Sequence, residues 1–317
     1  LHRLIRRQRQ MCIRDRLGSY YIDMKKNANR LDSPIHRLDD EGVLLTKIPY
    51  TDNWDYYPVD IALFSLGNFE MYLKTGKERF RKAFLAQAKW LKDNIVIKGD
   101  YGVWEHWYTL PYYRFNRIPW VHGMAQGLAI SALLRAYQLI NDETFLYAAE
   151  KAYGAFERDI EDGGVRFVDP DGNVWFEEYA ILPPPHILNG FIFTLFGIYD
   201  FYRVTKEEKA LILFNEGIKT LEKNLHLYDN GYWSLYNLIH KYPSTGSYHS
   251  LHITQLRALY ELTGKDIFDE YAERWERYAN RSINRLRATL RRAKIHWKRH
   301  GIKILKIYLM RRRWLKE

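Results

Sequence analysis

Apolar residues recur at helical spacing through most of this chain. After Tyr57 the positions Val59, Leu63, Leu66, Phe69 and Leu73 fall near one face, Pro58 suits a first helical turn, and Thr75-Gly76 stops the run. A second helix is expected over about 77–93, with Phe80, Phe84, Leu85, Ala88 and Leu91 on one side. The third follows Pro119 and reaches Ile140, and its small residues (Gly123, Ala125, Gly127, Ala129, Ser131) let a neighbour approach closely. The fourth covers about 142–158. Gly163-Gly164 and Asp169-Pro170-Asp171-Gly172 then bracket a β-hairpin that leads to Trp175. The pattern repeats with helices near 187–204 and 207–224, a strand over 232–238, and helices near 248–262 and 266–280. Helix pairs separated by short irregular inserts predict a mainly α fold, an (α/α) toroid or barrel with short β-hairpin inserts.

Charge divides the chain more sharply than hydropathy does. Six arginines against one aspartate in residues 1–18, and fourteen Lys or Arg against one Glu in 281–317, outweigh the whole net charge of +11, so the body between them is acidic. An acidic body has no bulk electrostatic case for nucleic acid. Residues 1–18 are read as a leader foreign to the fold; the chain opens on Leu1, so its natural start is expected elsewhere. Residues 19–50 are expected to form an extended arm, 51–280 the catalytic toroid, and 281–317 a basic helical or disordered tail. In that tail Ile302, Leu305, Leu309 and Trp314 space an apolar stripe among arginines, a candidate contact for a membrane surface. The single cysteine, Cys12, falls in the leader, which leaves the body without a disulfide or a thiol nucleophile.

Aromatic content is high at 16%, and tyrosine and tryptophan suit clefts that hold sugars as well as cores. The stretch WFEEYAILPPPHILNG sets Glu177, Glu178 and Tyr179 before three prolines that forbid regular helix, with Asn189 in the helix beyond. Tyr236 lies in GYWSLYNLIH, and Tyr248, His249 and His252 in GSYHSLHITQL. In an (α/α) toroid such inserts rim one mouth of the inner ring, so the phenols of Tyr179, Tyr236 and Tyr248 are expected to converge. An aromatic segment at 102–119 adds His106, Tyr112, Arg114 and Arg117. Gln126 reads first as a packing residue and second as one that reaches sugar. His249-x-x-His252 has metal-ligand spacing, but no third ligand motif accompanies it and no metal is expected. Neither a phosphate-cradling glycine loop nor a nucleophile elbow occurs.

Five ordered blocks give these residues a context: YYPVDIALFSL, PWVHGMAQGLAISALLRAY, WFEEY with LNGFIFTLFGIYD, LYDNGYWSLYNL, and SYHSLHITQL. In them, residues 50–280 resemble the C-terminal domain of D-glucuronyl C5-epimerases, enzymes that turn glucuronate into iduronate within heparan-type polymers. The resemblance implies the toroid, a reaction without cofactor, and Tyr179, Tyr236 and Tyr248 at the family's catalytic tyrosine positions. It puts Glu178 and Asn189 where substrate is contacted. It also exposes departures: Ile239 stands where the family carries a carboxylate-binding arginine, Ala180 replaces a proline, and the family's β-rich N-terminal part has no counterpart. Arg114 is therefore the candidate for the substrate carboxylate, with Arg117 and His106 as alternatives, and Tyr112, His249 and Gln126 complete the substrate-binding set.

The implied chemistry explains the use of phenols. The C5 proton lies α to a carboxylate, so removing it places charge on the carboxyl oxygens and calls for donors or cations there. Inversion needs a base on one ring face and an acid on the other. A polysaccharide lyase, which shares the carbanion, and an inactive carbohydrate-binding relative are the competing readings. Expected partners are a uronic-acid polysaccharide, a membrane surface at the basic tail and a second copy of the chain; nucleic acid is not expected.

Overall fold

The computed structural model describes residues 17–48, 53–110, 113 and 118–295. The chain divides into two compact units, Leu1–Pro184 with Gly190–Thr220, and Pro185–Asn189 with Leu221–Glu317. Eight helices form the body of the described fold: α1 (Pro58–Thr75), α2 (Glu78–Asp93), α3 (Gly123–Ile140), α4 (Glu143–Tyr153), α5 (Leu188–Thr205), α6 (Glu208–Asn224), α7 (Gly246–Thr263) and α8 (Asp266–Ala279). The intervening sheets are small. Strands β1 (His36–Leu38), β2 (Leu44–Lys47) and β3 (Trp54–Tyr56) form an antiparallel three-stranded sheet. Three hairpins follow, β4 (Val96–Lys98) with β5 (Tyr101–Val103), β6 (Glu105–His106) with β7 (Trp120–Val121), and β8 (Arg166–Val168) with β9 (Val174–Phe176).

In the first unit, α1 is buried continuously from Pro58 to Glu70 except Asp60, and α3 from Gly123 to Ala136. Their partners α2 and α4 bury one face each, through Phe84, Gln87, Ala88 and Leu91, and through Phe145, Ala148, Ala149, Ala152 and Tyr153. A helix apolar all round lies inside, and an amphipathic one covers it. That alternation, with short β-hairpin inserts, is the mainly α, (α/α) toroid class expected. Left-handed residues end the helices as the punctuation predicts, Gly76 after α1, Asn141 after α3 and Gly264 after α7.

The small residues of α3 have the use their spacing implies. Gly127 sits against Gly197 of α5, and a Cβ at 127 would lie 2.8 Å from both the Phe193 carbonyl oxygen and the Thr194 Cα. Since backbone meets backbone there, no side chain can move aside. Gly197→Ala is expected to destabilise the protein by about 1–3 kcal/mol through overpacking, read as a lowered urea midpoint with unchanged slope.

Several boundaries differ from the sequence reading. Residues 17 and 18 belong to the fold: Leu17 is buried, its N–H donates to Gln138 Oε1 at 2.8 Å, and Arg135 Nε donates to the Gly18 carbonyl at 3.1 Å. Residues 19–48 are no free arm. Tyr20, Ile22 and Met24 are buried, and the N–H groups of Tyr20 and Met24 donate to the Glu70 carboxylate of α1 at 3.0 and 2.9 Å. The segment 232–238 is not a strand but a turn-rich stretch with isolated bridges, because Asn230 Oδ1 takes the N–H groups of Tyr232 and Trp233 at 3.1 and 2.9 Å. In the tail, 282–295 is helix, with Ala288 packed into a cluster with Tyr232 and Trp233, while Ile283, Leu286 and Leu290 are exposed. The stripe from Ile302 to Trp314 lies outside the described residues. Among the described residues, no helix is long and apolar enough to cross a membrane.

Candidate active site

Two aromatic clusters hold the predicted tyrosines, Tyr179 in the first unit and Tyr236 with Tyr248 in the second. In the first unit β6 and β7 pair so that His106 faces Trp120, and the strand runs on through His122 into α3. Residues 177–180 lie alongside. The Gly123 N–H is shared between the carbonyls of Glu177 and Glu178 at 3.2 and 2.9 Å, the Ala180 N–H donates to the Val121 carbonyl at 3.1 Å, and His122 bridges Tyr179 antiparallel. This pairing sets the Tyr179 ring 5.0 Å from His122, 5.4 Å from Trp120 and 5.1 Å from Tyr113. Glu178 is buried with Oε1 4.0 Å from His122 Nε2, and a Cβ on Gly190 would overlap its side chain, so only glycine fits there.

Burial pushes the His106 imidazole down to about 3, and burial followed by the neighbouring His106 pushes His122 well below its ordinary value. Both rings are therefore neutral near pH 7, and the His122–Glu178 contact is not an ion pair. His106 Nε2 and His122 Nδ1 are buried with no hydrogen-bond partner among the described residues. Burial raises the Tyr108 phenol far above its ordinary range, against a hydrogen bond with Tyr57 that lowers it.

In the second unit Thr245 caps α7, accepting the Tyr248 N–H at 3.2 Å, which fixes Tyr248 in the first turn. The Tyr236 N–H donates to the Tyr242 carbonyl at 3.1 Å, and the Tyr236 carbonyl accepts from the Leu188 N–H at 3.2 Å. The rings of Tyr236 and Tyr248 meet edge to face at 5.0 Å, and Tyr236 stacks on Tyr242 at 5.7 Å. Tyr236 is half-buried and Tyr248 is 36% exposed, so this pair can be reached from solvent. Ile239 is exposed nearby in sequence.

Beneath these tyrosines Ser234 Oγ lies 2.8 Å from His249 Nδ1, 2.9 Å from His252 Nδ1 and 2.9 Å from Ser244 Oγ. His249 Nε2 meets the Trp275 carbonyl at 2.9 Å and must carry the proton, so its Nδ1 accepts from Ser234. Trp233 stacks on the His249 ring at 3.7 Å. Burial lowers His249 to about 4 and, with the His249 charge, His252 to about 3.

This geometry corrects the substrate-binding set at His249 and Gln126. His249 is buried with both nitrogens engaged within the fold, so it does not bind substrate. His249 and His252 are neutral and cannot supply the positive charge that would lower a tyrosine. Gln126 is a structural tie: its Oε1 accepts from the Trp104 N–H at 3.2 Å, and its Nε2 donates to the carbonyls of Gly102 and Ala152 at 3.0 and 3.1 Å. Asn189 is buried in the second unit, where its carbonyl accepts from Gln255 Nε2 at 3.0 Å. Tyr112, Arg114 and Arg117 lie outside the described residues. Trp120 and His122, which the sequence reading does not single out, pack against Tyr179, and the sequence holds one cue to them: His122 immediately precedes the small-residue face of α3.

The depressed histidines predict an acid limit. Unfolded, each binds a proton near 6.5; folded, only near 3 to 4, so the unfolded state holds more protons between those values. Stability is expected to be full above about pH 6.5 and to fall as pH drops towards about 4, measurable as a declining urea midpoint across that range.

The family model for the D-glucuronyl C5-epimerase C-terminus matches residues 98–277. The D-glucuronyl C5-epimerase of Caenorhabditis elegans is 32% identical over 281 residues, which is 80% of this chain and 43% of the worm protein. The chain thus spans under half the length of that relative. An uncharacterised protein of Methanocaldococcus jannaschii is 34% identical over 65% of this chain and 71% of its own. Among solved structures, a family 76 glycoside hydrolase from a bovine Bacteroides thetaiotaomicron strain shares 13% identity at a TM-score of 0.49, over 72% of this chain and 48% of that one, a likeness that carries nothing about function. Because the family match takes in more than half of its residues, the chain belongs to the family of D-glucuronyl C5-epimerase C-terminal domains.

Proposed function

We propose that this protein inverts C5 of D-glucuronate residues to L-iduronate within a heparosan-like polysaccharide, using tyrosines and no cofactor. The observation that carries the reading beyond family membership is the Tyr236–Tyr248 pair, two phenols 5.0 Å apart ring to ring on an accessible face. A phenolate on one side of the sugar takes the C5 proton, and the electron pair spreads into the carboxylate. A phenol on the other side returns a proton to C5, so the polymer changes configuration and nothing else. Tyr248 is proposed for one role and Tyr236 or Tyr179 for the other. Tyr179 is assigned by its family position, next to the buried Glu178 and the neutral His122. Arg114 is proposed for the substrate carboxylate. With both histidines under Tyr248 neutral, the charge that lowers the attacking phenol must come from elsewhere.

The exposed Ile239, at the position where the family's arginine is expected, favours one further reading, a carbohydrate-binding relative without turnover. Incubation with heparosan in deuterium oxide separates the cases. Deuterium at C5 with iduronate in an intact polymer is the expected result. An unsaturated, ultraviolet-absorbing uronate would mean a lyase, and binding without exchange would mean the inactive relative.

A further inference from the structure

We infer that the helix over 282–295 lies on an anionic lipid surface, with Ile283, Leu286 and Leu290 among the acyl chains and its basic side chains at the headgroups. One face of this helix is held by the second unit. Asn284 and Ala288, one turn apart, are buried, and Ala288 packs in a cluster with Tyr232 and Trp233, against which Tyr278 and Ala279 also lie. Arg287 sits 4.5 Å over the Tyr232 ring. At about 100° per residue, positions 283, 286 and 290 form a second stripe roughly opposite the docked one. Ile283 is 58% exposed, Leu286 54% and Leu290 60%. Three large aliphatic side chains one turn apart and each more than half exposed make a contiguous patch, which scattered surface residues do not.

Charge decides what covers the stripe. Arg285, Arg287, Arg291 and Lys294 are exposed on the same helix, and the sequence from 282 to 295 contains no Asp or Glu. Cations alone would suit any soluble polyanion, the uronate polymer proposed above included. Such a polymer gives exposed leucines nothing apolar to bury against. An anionic bilayer takes both features at once, acyl chains for the stripe and headgroups for the cations, whose long stems reach from the apolar level to water. A second copy docked helix against helix would instead set these cations against their own kind. Basic residues on every turn keep the helix along the surface and not through it.

The test is co-sedimentation of the full chain with vesicles of phosphatidylcholine alone and of phosphatidylcholine mixed with phosphatidylglycerol. Binding to the mixed vesicles is expected, weakened by added salt and at least about tenfold tighter than to the neutral ones. The double variant Leu286→Gln with Leu290→Gln keeps every charge and places good helix formers at two exposed positions, so its thermal midpoint is expected to stay at the wild-type value. Its affinity for the mixed vesicles is expected to fall at least about tenfold. Undiminished vesicle binding by that variant would overturn the lipid contact, because charge alone would then hold the protein. Equal binding to both kinds of vesicle, or to neither, would overturn it as well. Sedimentation velocity without vesicles reads the other occupant: a dimer that the double variant dissociates would assign the stripe to a second copy of the chain and end the lipid reading. Exchange at C5 is measured separately, so these outcomes leave the epimerase reading untouched.

Discussion

Tyr248→Phe is expected to lower deuterium entry at C5 of glucuronate by at least about a hundredfold, the loss typical when a positioned proton-transfer group is removed. The substitution deletes one oxygen and keeps the ring, so the edge-to-face contact with Tyr236 at 5.0 Å survives. With Tyr248 at 36% exposure, the side chain is not a core residue whose alteration would open a cavity. The thermal midpoint should therefore stay within a degree or two of wild type while exchange collapses. Tyr236→Phe and Tyr179→Phe complete the series, and the partner of Tyr248 in proton transfer is the one whose loss is comparably large. Full exchange by Tyr248→Phe would remove that residue from the mechanism.

The largest stability effect is expected at a buried ion pair of the first unit. Arg135 and Asp200 form an ion pair at 2.6 Å with both side chains fully buried. Asp200 also accepts from the Tyr21 hydroxyl at 2.7 Å, and Arg135 donates to the carbonyls of Gly18 and Ser131 at 3.1 and 2.9 Å while lying 5.3 Å above the Tyr20 ring. Arg135→Ala leaves a buried carboxylate facing Arg203 at 3.9 Å, too far for a hydrogen bond, and unties residues 18–21 from α3. A loss of about 3–5 kcal/mol in urea unfolding is expected, since a buried charge without its partner is strongly penalised. The double replacement Arg135→Met with Asp200→Leu should recover most of it, because no lone charge then remains. A single-variant loss below about 1 kcal/mol would show that the pair is not what anchors the segment.

Much of the candidate site was legible because its residues stand beside strong local signals. Tyr248 follows a Thr-Gly-Ser start of helix, and that helix begins two residues earlier than the apolar spacing suggested because Thr245 supplies the cap. Tyr179 precedes three prolines that had to end regular structure. The β8–β9 hairpin was announced by Asp169-Pro170-Asp171-Gly172, where Asp169 Oδ1 takes the N–H groups of Asp171 and Asn173 at 3.0 and 2.9 Å. The errors have a common origin. His249 looked like a ligand-binding residue and Gln126 kept that role as its second reading, since a polar side chain near an aromatic run reads the same whether it meets sugar or a buried carbonyl.

What the chain determined by itself was the order of its helices, because helical period, proline, glycine and capping residues act over a few positions and need no partner. It also determined the family, since five blocks keep their order and wording. The tertiary structure decided which polar groups are free to do chemistry. Strand pairing brought Tyr179 beside His122 and Glu178, and packing neutralised the histidines beneath Tyr248. Packing of 282–295 through Ala288 left Ile283, Leu286 and Leu290 exposed. Hydrogen-bond satisfaction and desolvation depend on neighbours remote in the chain, and no local pattern records them.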